Sequence, residues 1–129
     1  MGPRRGLPVI TYVDSSAVLA RVFEEDPQVS LEGHSTVTSE LTVVEVARRM
    51  LHKGFPGDPW IEANGALANI ALLAIDPVII AQAATLPVRH LRSLDALHIA
   101  SALSARVDLI VTLDHQMQRA CTELGLAVA

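Results

Sequence analysis

Short runs of β-branched and aromatic residues alternate with helix-spaced stretches along this chain, and that alternation leaves few folds open to it. Val9-Ile10-Thr11-Tyr12-Val13, preceded by Pro8 and ended by Asp14, reads as a buried strand, as does Leu109-Ile110-Val111-Thr112. His34 to Thr38 suggests a second short strand, and Leu126 to Val128 a terminal one. Ser15 and Ser16 open a helix whose apolar contacts are Ala17, Val18, Leu19 and Val22, and Ser39 caps a helix from Glu40 to about His52. Gly54, Pro56, Gly57 and Pro59 punctuate a loop. Beyond it the sequence predicts a helix from about Trp60 to Leu73, a short edge strand at Ala74 to Asp76, and a helix from Val78 to Thr85 that Pro87 ends. Ser93 is the expected cap of a helix from Leu94 to Ser104, and a last helix spans about His115 to Leu124 and stops at Gly125. Strands alternating with helices imply right-handed crossovers and a parallel sheet covered on both faces, an α/β architecture.

The 129 residues fit one domain, residues 1–129, with enough length to bury a core; residues 1–6 read as a flexible N-terminal extension. The longest apolar stretch, Asn69 to Leu86, is broken by Asp76-Pro77 and falls short of the roughly 20 residues a membrane span needs. Leu7 to Val13 is too short for a signal region and runs directly into Asp14. A single cysteine, Cys121, excludes an internal disulfide and is compatible with a reducing cytoplasm.

Four acids stand out against this frame: Asp14, Glu45, Asp95 and Asp114, at intervals of about 30, 50 and 20 residues. Asp14 follows a predicted strand directly and Asp114 nearly so, which places both at the carboxyl edge of the sheet, where open parallel sheets bind ligands. Asp95 falls in the first turn of its helix, and Glu45 sits among Val43, Val44, Val46 and Ala47, a costly setting for an unpaired carboxylate. If the fold gathers them, they make an all-oxygen pocket suited to a hard cation such as Mg²⁺ or Mn²⁺, and the chain becomes a candidate metal-dependent phosphodiesterase. The net charge of −4 neither supports nor excludes a nucleic-acid partner: of 14 acids, the four candidates leave ten, matching the ten Lys and Arg.

Each acid taken singly also has a plainer role. Asp14 and Asp114 can cap helices, Asp95 suits a helix N-terminus, and Glu45 can pair with Arg49 at i,i+4. Glu40 shares the Glu45 helix, but five residues turn the two roughly 140° apart, so Glu40 is assigned to the helix dipole instead. His98, three residues after Asp95, is assigned a packed, hydrogen-bonded role, and Cys121 a place in the core beside Met117 and Leu124. Glu24, Glu25 and Asp26 read as a solvated run, and Glu32 is given no chemistry.

The conjunction is more specific than its parts. Val13-Asp14-Ser15-Ser16-Ala17, Thr38-Ser39-Glu40-Leu41 followed by Glu45, Ser93-Leu94-Asp95-Ala96-Leu97-His98 and Val111-Thr112-Leu113-Asp114 occur in an order that resembles the PIN-domain ribonucleases, most closely the VapC-type toxins of bacterial toxin–antitoxin pairs. The resemblance runs from Tyr12 to Val128. It implies a PIN-like three-layer α/β/α fold with a four- to five-stranded parallel sheet and an acidic site at its carboxyl edge. Asp14, Glu45, Asp95 and Asp114 would then hold Mg²⁺ or Mn²⁺, with Ser16 and Thr112 as supporting hydroxyls. It also implies an RNA substrate, a cognate antitoxin and a homodimer.

Arg89 and Arg92, just before the Asp95 helix, are candidates for phosphate contacts, their plain alternative being solvated loop charge. Tyr12, Phe23, Phe55 and Trp60 are too few aromatics for a base-stacking platform, so recognition would rest on RNA shape and backbone. Two other acidic-site folds fit poorly. A phosphoacceptor receiver domain needs a late lysine, whereas the only lysine is Lys53; a haloacid-dehalogenase-type phosphatase needs an acid at position 16, which is serine. The remaining alternative is a catalytically inert PIN-like module that binds protein or RNA.

Overall fold

The computed structural model describes residues 8–23 and 34–129, so the N-terminal extension, the 24–26 acidic run and Glu32 lie outside the described residues. β1 (Val9–Val13) leads into α1 (Ser15–Val22), and β2 (His34–Ser39) into α2 (Glu40–His52). Then come α3 (Pro59–Ala66), β3 (Ala71–Leu73), α4 (Pro77–Ala84), α5 (Ser93–Ser104), β4 (Leu109–Val111) and α6 (His115–Glu123). The strands form one sheet in the order β3-β2-β1-β4, with every pairing parallel. Tyr12 stands opposite Val37 on one side and Ile110 on the other, so β1 is a central strand. Val128 bridges Ile110 in parallel, a single bridge where a terminal strand was expected.

Side-chain alternation along β1 and β4 divides the core in two. Val13 and Val111 face one side, packed with Ala17 and Val18 of α1, Val43, Val46 and Met50 of α2, and Ala63 of α3. Tyr12 and Ile110 face the other, against Ile99 and Ala102 of α5 and Met117, Ala120 and Cys121 of α6. Each large side chain so buried contributes roughly 1.5–3 kcal/mol. The result is the three-layer α/β/α arrangement, with four strands in the sheet. Among the described residues no helix is long and apolar enough to cross a membrane.

Three boundaries differ from the sequence expectation. The predicted 60–73 helix stops at Ala66, and tight turns (Ala68 N–H to Gly65 C=O, Ile70 N–H to Leu67 C=O) carry the chain into β3. A three-residue apolar run has no period to separate strand from helix, and pairing of Val37 with Ala71 and Ser39 with Leu73 decides the matter. The edge strand is therefore 71–73, not 74–76, and Asp76 caps α4, accepting from the Ile79 N–H at 2.9 Å. At α5 the N-cap is Arg92, whose carbonyl takes the first helical bond from Ala96; Ser93 is already helical and supplies no cap bond. Gly125 ends α6 with φ of 73°, the left-handed conformation that glycine adopts without strain.

Candidate active site

The carboxyl ends of β1 and β4 lie side by side, and the residues that follow them meet. Asp14 is 3 % exposed and caps α1, its Oδ1 accepting from the Ala17 N–H at 3.1 Å and the Ser16 hydroxyl at 2.6 Å. Its Oδ2 accepts from the Thr112 hydroxyl. Thr112 Oγ1 in turn accepts from the Asp114 N–H at 3.1 Å, and Ser16 Oγ from the Leu113 N–H at 2.9 Å. Burial raises the Asp14 pKa, while the Ser16 and Thr112 hydroxyls and the Ala17 N–H oppose the shift. The two hydroxyls assigned to a supporting role thus both hold Asp14.

Asp114 caps α6, with Oδ1 accepting from the N–H groups of Gln116 at 2.8 Å and Met117 at 3.2 Å. For Asp14 and Asp114 the plain reading as helix caps is therefore true, and it does not compete with a place in the site. The cap bonds fix where each carboxylate stands.

Asp95 is half-buried in the first turn of α5. Burial raises its pKa first and the charge of Asp114 next, with Asp14 and Glu45 adding to the rise and His98 opposing it. The charges of all three other acids reach Asp95.

Glu45 does not use Arg49. Its Oε2 accepts from the Ser15 hydroxyl at 2.9 Å, and its Oε1 meets His98 Nε2 at 2.6 Å, with the side chain 22 % exposed. His98 is 1 % exposed, and its Nδ1 meets the Tyr12 hydroxyl at 2.6 Å. The expectation that His98 is packed and hydrogen-bonded is met, but its link to Glu45 was missed. Its spacing on the Asp95 helix was the available signal; its partner lies 53 residues away. Glu40 turns away from this group and accepts from the Ile75 N–H at 3.0 Å.

Arg89 and Arg92 are both exposed on the segment before α5, Arg92 three residues ahead of Asp95. Among the described residues neither makes an ion pair or hydrogen bond with Asp14, Glu45, Asp95 or Asp114.

The donor chemistry fits a hard divalent cation: four carboxylates and two hydroxyls offer only oxygen, and both His98 nitrogens are already engaged. Spacing is less complete, since among the described residues no three His, Cys, Asp or Glu side chains stand in ready ligating geometry.

Comparison with known proteins agrees with this fold. The sequence matches the PIN domain family over residues 11–123. It is 36 % identical over 124 residues to Ribonuclease VapC46 of Mycobacterium tuberculosis, covering 91 % of this chain and 94 % of that protein. Ribonuclease VapC47 of the same species is 31 % identical over 129 residues, covering 92 % and 94 %. Among solved structures, VapBC2 from Rickettsia felis, bound to a DNA fragment from its promoter, superposes with a TM-score of 0.68 at 9 % identity, over 94 % of this chain and 98 % of that one. That last likeness is one of fold.

Proposed function

This chain belongs to the PIN domain family, and on that premise we propose that it is an endoribonuclease toxin of the VapC type, using Mg²⁺ or Mn²⁺ to hydrolyse RNA and silenced by a cognate antitoxin. The observation that carries the reading is that Asp14 and Asp114 follow the adjoining strands β1 and β4, with Asp95 near enough to feel the charges of Asp114, Asp14 and Glu45. Those four acids would hold the cation. When bound, it supplies Lewis acidity that lowers the pKa of an attacking water and offsets the phosphate charge.

The chain's own residues supply position. Asp14 is fixed at both oxygens by Ser16, Thr112 and the α1 N-terminus, so it meets a ligand without reorganising. Asp114 is held through Oδ1 by α6, and Glu45 through both oxygens by Ser15 and His98. Arg89 and Arg92, both exposed on the segment before α5, would receive RNA phosphates. Water attacks phosphorus in line, the bond to the 3′ oxygen breaks, and the products are a 5′ phosphate and a 3′ hydroxyl. That route needs neither the 2′-hydroxyl nor a histidine pair.

The antitoxin is supported by fold likeness to the VapBC2 complex and by exposed apolar side chains on α3 and α4 (Trp60, Ile61, Val78 and Ile80) that a protein partner could cover. A homodimer could use the same kind of surface. We take residues 1–129 as one domain working in the cytoplasm, where its RNA substrate would be found.

The test is cleavage of RNA by the purified chain with Mn²⁺ or Mg²⁺, with end-mapping of the products. Activity should vanish in EDTA and in Asp14→Asn and Asp95→Asn. Cleavage that survives EDTA, or persists in both variants, would sink the metal mechanism. Cation binding without cleavage of any RNA would favour the inert binding module.

A further inference from the structure

One buried polar group lies behind the acids and is not among them. His98 is 1 % exposed on α5, flanked in sequence by Ile99 and Ala100, both fully buried. An imidazole in that setting is costly unless both nitrogens are bonded, and both are: Nδ1 to the Tyr12 hydroxyl at 2.6 Å and Nε2 to Glu45 Oε1 at 2.6 Å.

The direction of this chain follows from donor and acceptor chemistry. An ionised Glu45 can only accept, so the proton on the second bond sits on Nε2. Whenever the ring is neutral, Nδ1 is then the acceptor and the Tyr12 hydroxyl the donor. Tyr12 is fully buried, and burial raises its pKa, which keeps the phenol protonated for that task. On the far side of Glu45, Oε2 accepts from the Ser15 hydroxyl at 2.9 Å, one residue from Asp14. Residues from β1, α5, α2 and α1 thus form one line, Tyr12 to His98 to Glu45 to Ser15.

We propose that His98 is a positioning residue for Glu45: its Nε2–H, with the tautomer set by Tyr12, holds the carboxylate facing the acidic site and thereby sets the affinity for the divalent cation. This rests on the metal reading given above. Glutamate has three rotatable side-chain bonds, and an unanchored Glu45 would swing away from the like charges of Asp14 and Asp95. Anchoring both oxygens removes that freedom before the cation arrives. A histidine already committed at both nitrogens cannot itself be a ligand, which separates this role from coordination.

The experiment is calorimetric titration of Mn²⁺ into the full chain without RNA, for the wild type, Asp14→Asn, His98→Leu, His98→Gln and Tyr12→Phe, with circular dichroism confirming the fold of each. The Gln amide can present an N–H where Nε2 stood; Leu cannot. His98→Leu should weaken Mn²⁺ binding about 10- to 100-fold, the range for residues that orient metal ligands. His98→Gln should recover most of that loss, and Tyr12→Phe, which keeps the ring and removes the donor, should weaken binding by a smaller factor. Should His98→Leu fail to fold, the comparison of Tyr12→Phe and His98→Gln with wild type decides, and wild-type affinity in Tyr12→Phe would overturn the proposal. A folded His98→Leu that binds as wild type, or a His98→Gln no better than Leu, would overturn it too. Loss in Asp14→Asn with none at His98 overturns the positioning role alone. A wild type that binds no Mn²⁺, or an Asp14→Asn that binds normally, overturns the metal reading and this proposal with it.

Discussion

Asp14 and Thr112 are 98 residues apart in the chain, and the threonine hydroxyl donates to Asp14 Oδ2 in the buried seam between β1 and β4. The bond ties the two ends of the fold at the point where the site begins. A buried carboxylate needs such donors, and Thr112 supplies one from a residue with no exposure of its own.

Replacing Thr112 by Val keeps the shape and removes the donor. Asp14 then keeps Ser16 and Ala17 but loses its contact at Oδ2. The variant should be less stable by about 1–3 kcal/mol. It should also cleave RNA about 10- to 100-fold more slowly. Urea unfolding and single-turnover cleavage measure the two losses; wild-type values in both would show the bond to be idle.

The acids also set the pH response. The pKa values of Asp14 and Asp95 are raised above the ordinary carboxyl value of 3.8, in both cases first by burial. The folded chain therefore binds these protons more tightly than the unfolded chain does. Stability from this source grows as pH falls through the raised values, and the slope ends near 3.8, where the unfolded carboxyls are protonated too. In EDTA the melting temperature should rise as pH is lowered from neutrality towards the ordinary carboxyl value of 3.8, and saturating Mn²⁺ should flatten that slope. Calorimetric scans across pH check both; a melting temperature that falls steadily in EDTA over the same range contradicts the assignment.

Asp95→Asn should separate stability from activity. Removing one charge relieves repulsion from Asp114, Asp14 and Glu45, so the metal-free variant should be more stable, by no more than about 1 kcal/mol because the group is half-exposed. Its Mn²⁺ affinity and cleavage rate should fall together. Melting in EDTA beside a cleavage assay gives the comparison, and a destabilised variant would show that the acids do not repel one another.

For the two arginines the expected signature is ionic. Arg92→Ala, and less strongly Arg89→Ala, should raise KM for RNA with little change in kcat, and each should lower the salt dependence of binding by about one unit of slope. Both side chains are exposed, so stability should hold within about 0.5 kcal/mol. Unchanged salt dependence in both variants would assign them to solvated loop charge.

Much of this was legible before any fold was known, for identifiable reasons. β1, α2 and β4 announce themselves through β-branched runs, the Ser39 cap and the acids that follow the strands, all local features. β3 does not, because Ala71-Leu72-Leu73 is too short to carry a period, and its pairing partner lies in β2. Asp14 and Asp114 were readable because one strand end predicts one cap. Glu45 was readable only as an acid in greasy surroundings; the local sequence offers Arg49, and the true partners, Ser15 and His98, come from α1 and α5. Contacts across layers leave no trace in spacing.

Asp14 and Asp114 each cap a helix, and under the proposed function each would do a second job with the same side chain, holding the cation. Asparagine caps a helix about as well as aspartate, whereas alanine forfeits about 1 kcal/mol. A single exchange of oxygen for nitrogen can therefore disarm this chain and leave its architecture standing. Descendants that have lost the chemistry would be expected to keep short polar side chains at both positions, and by shape alone they would pass for working enzymes.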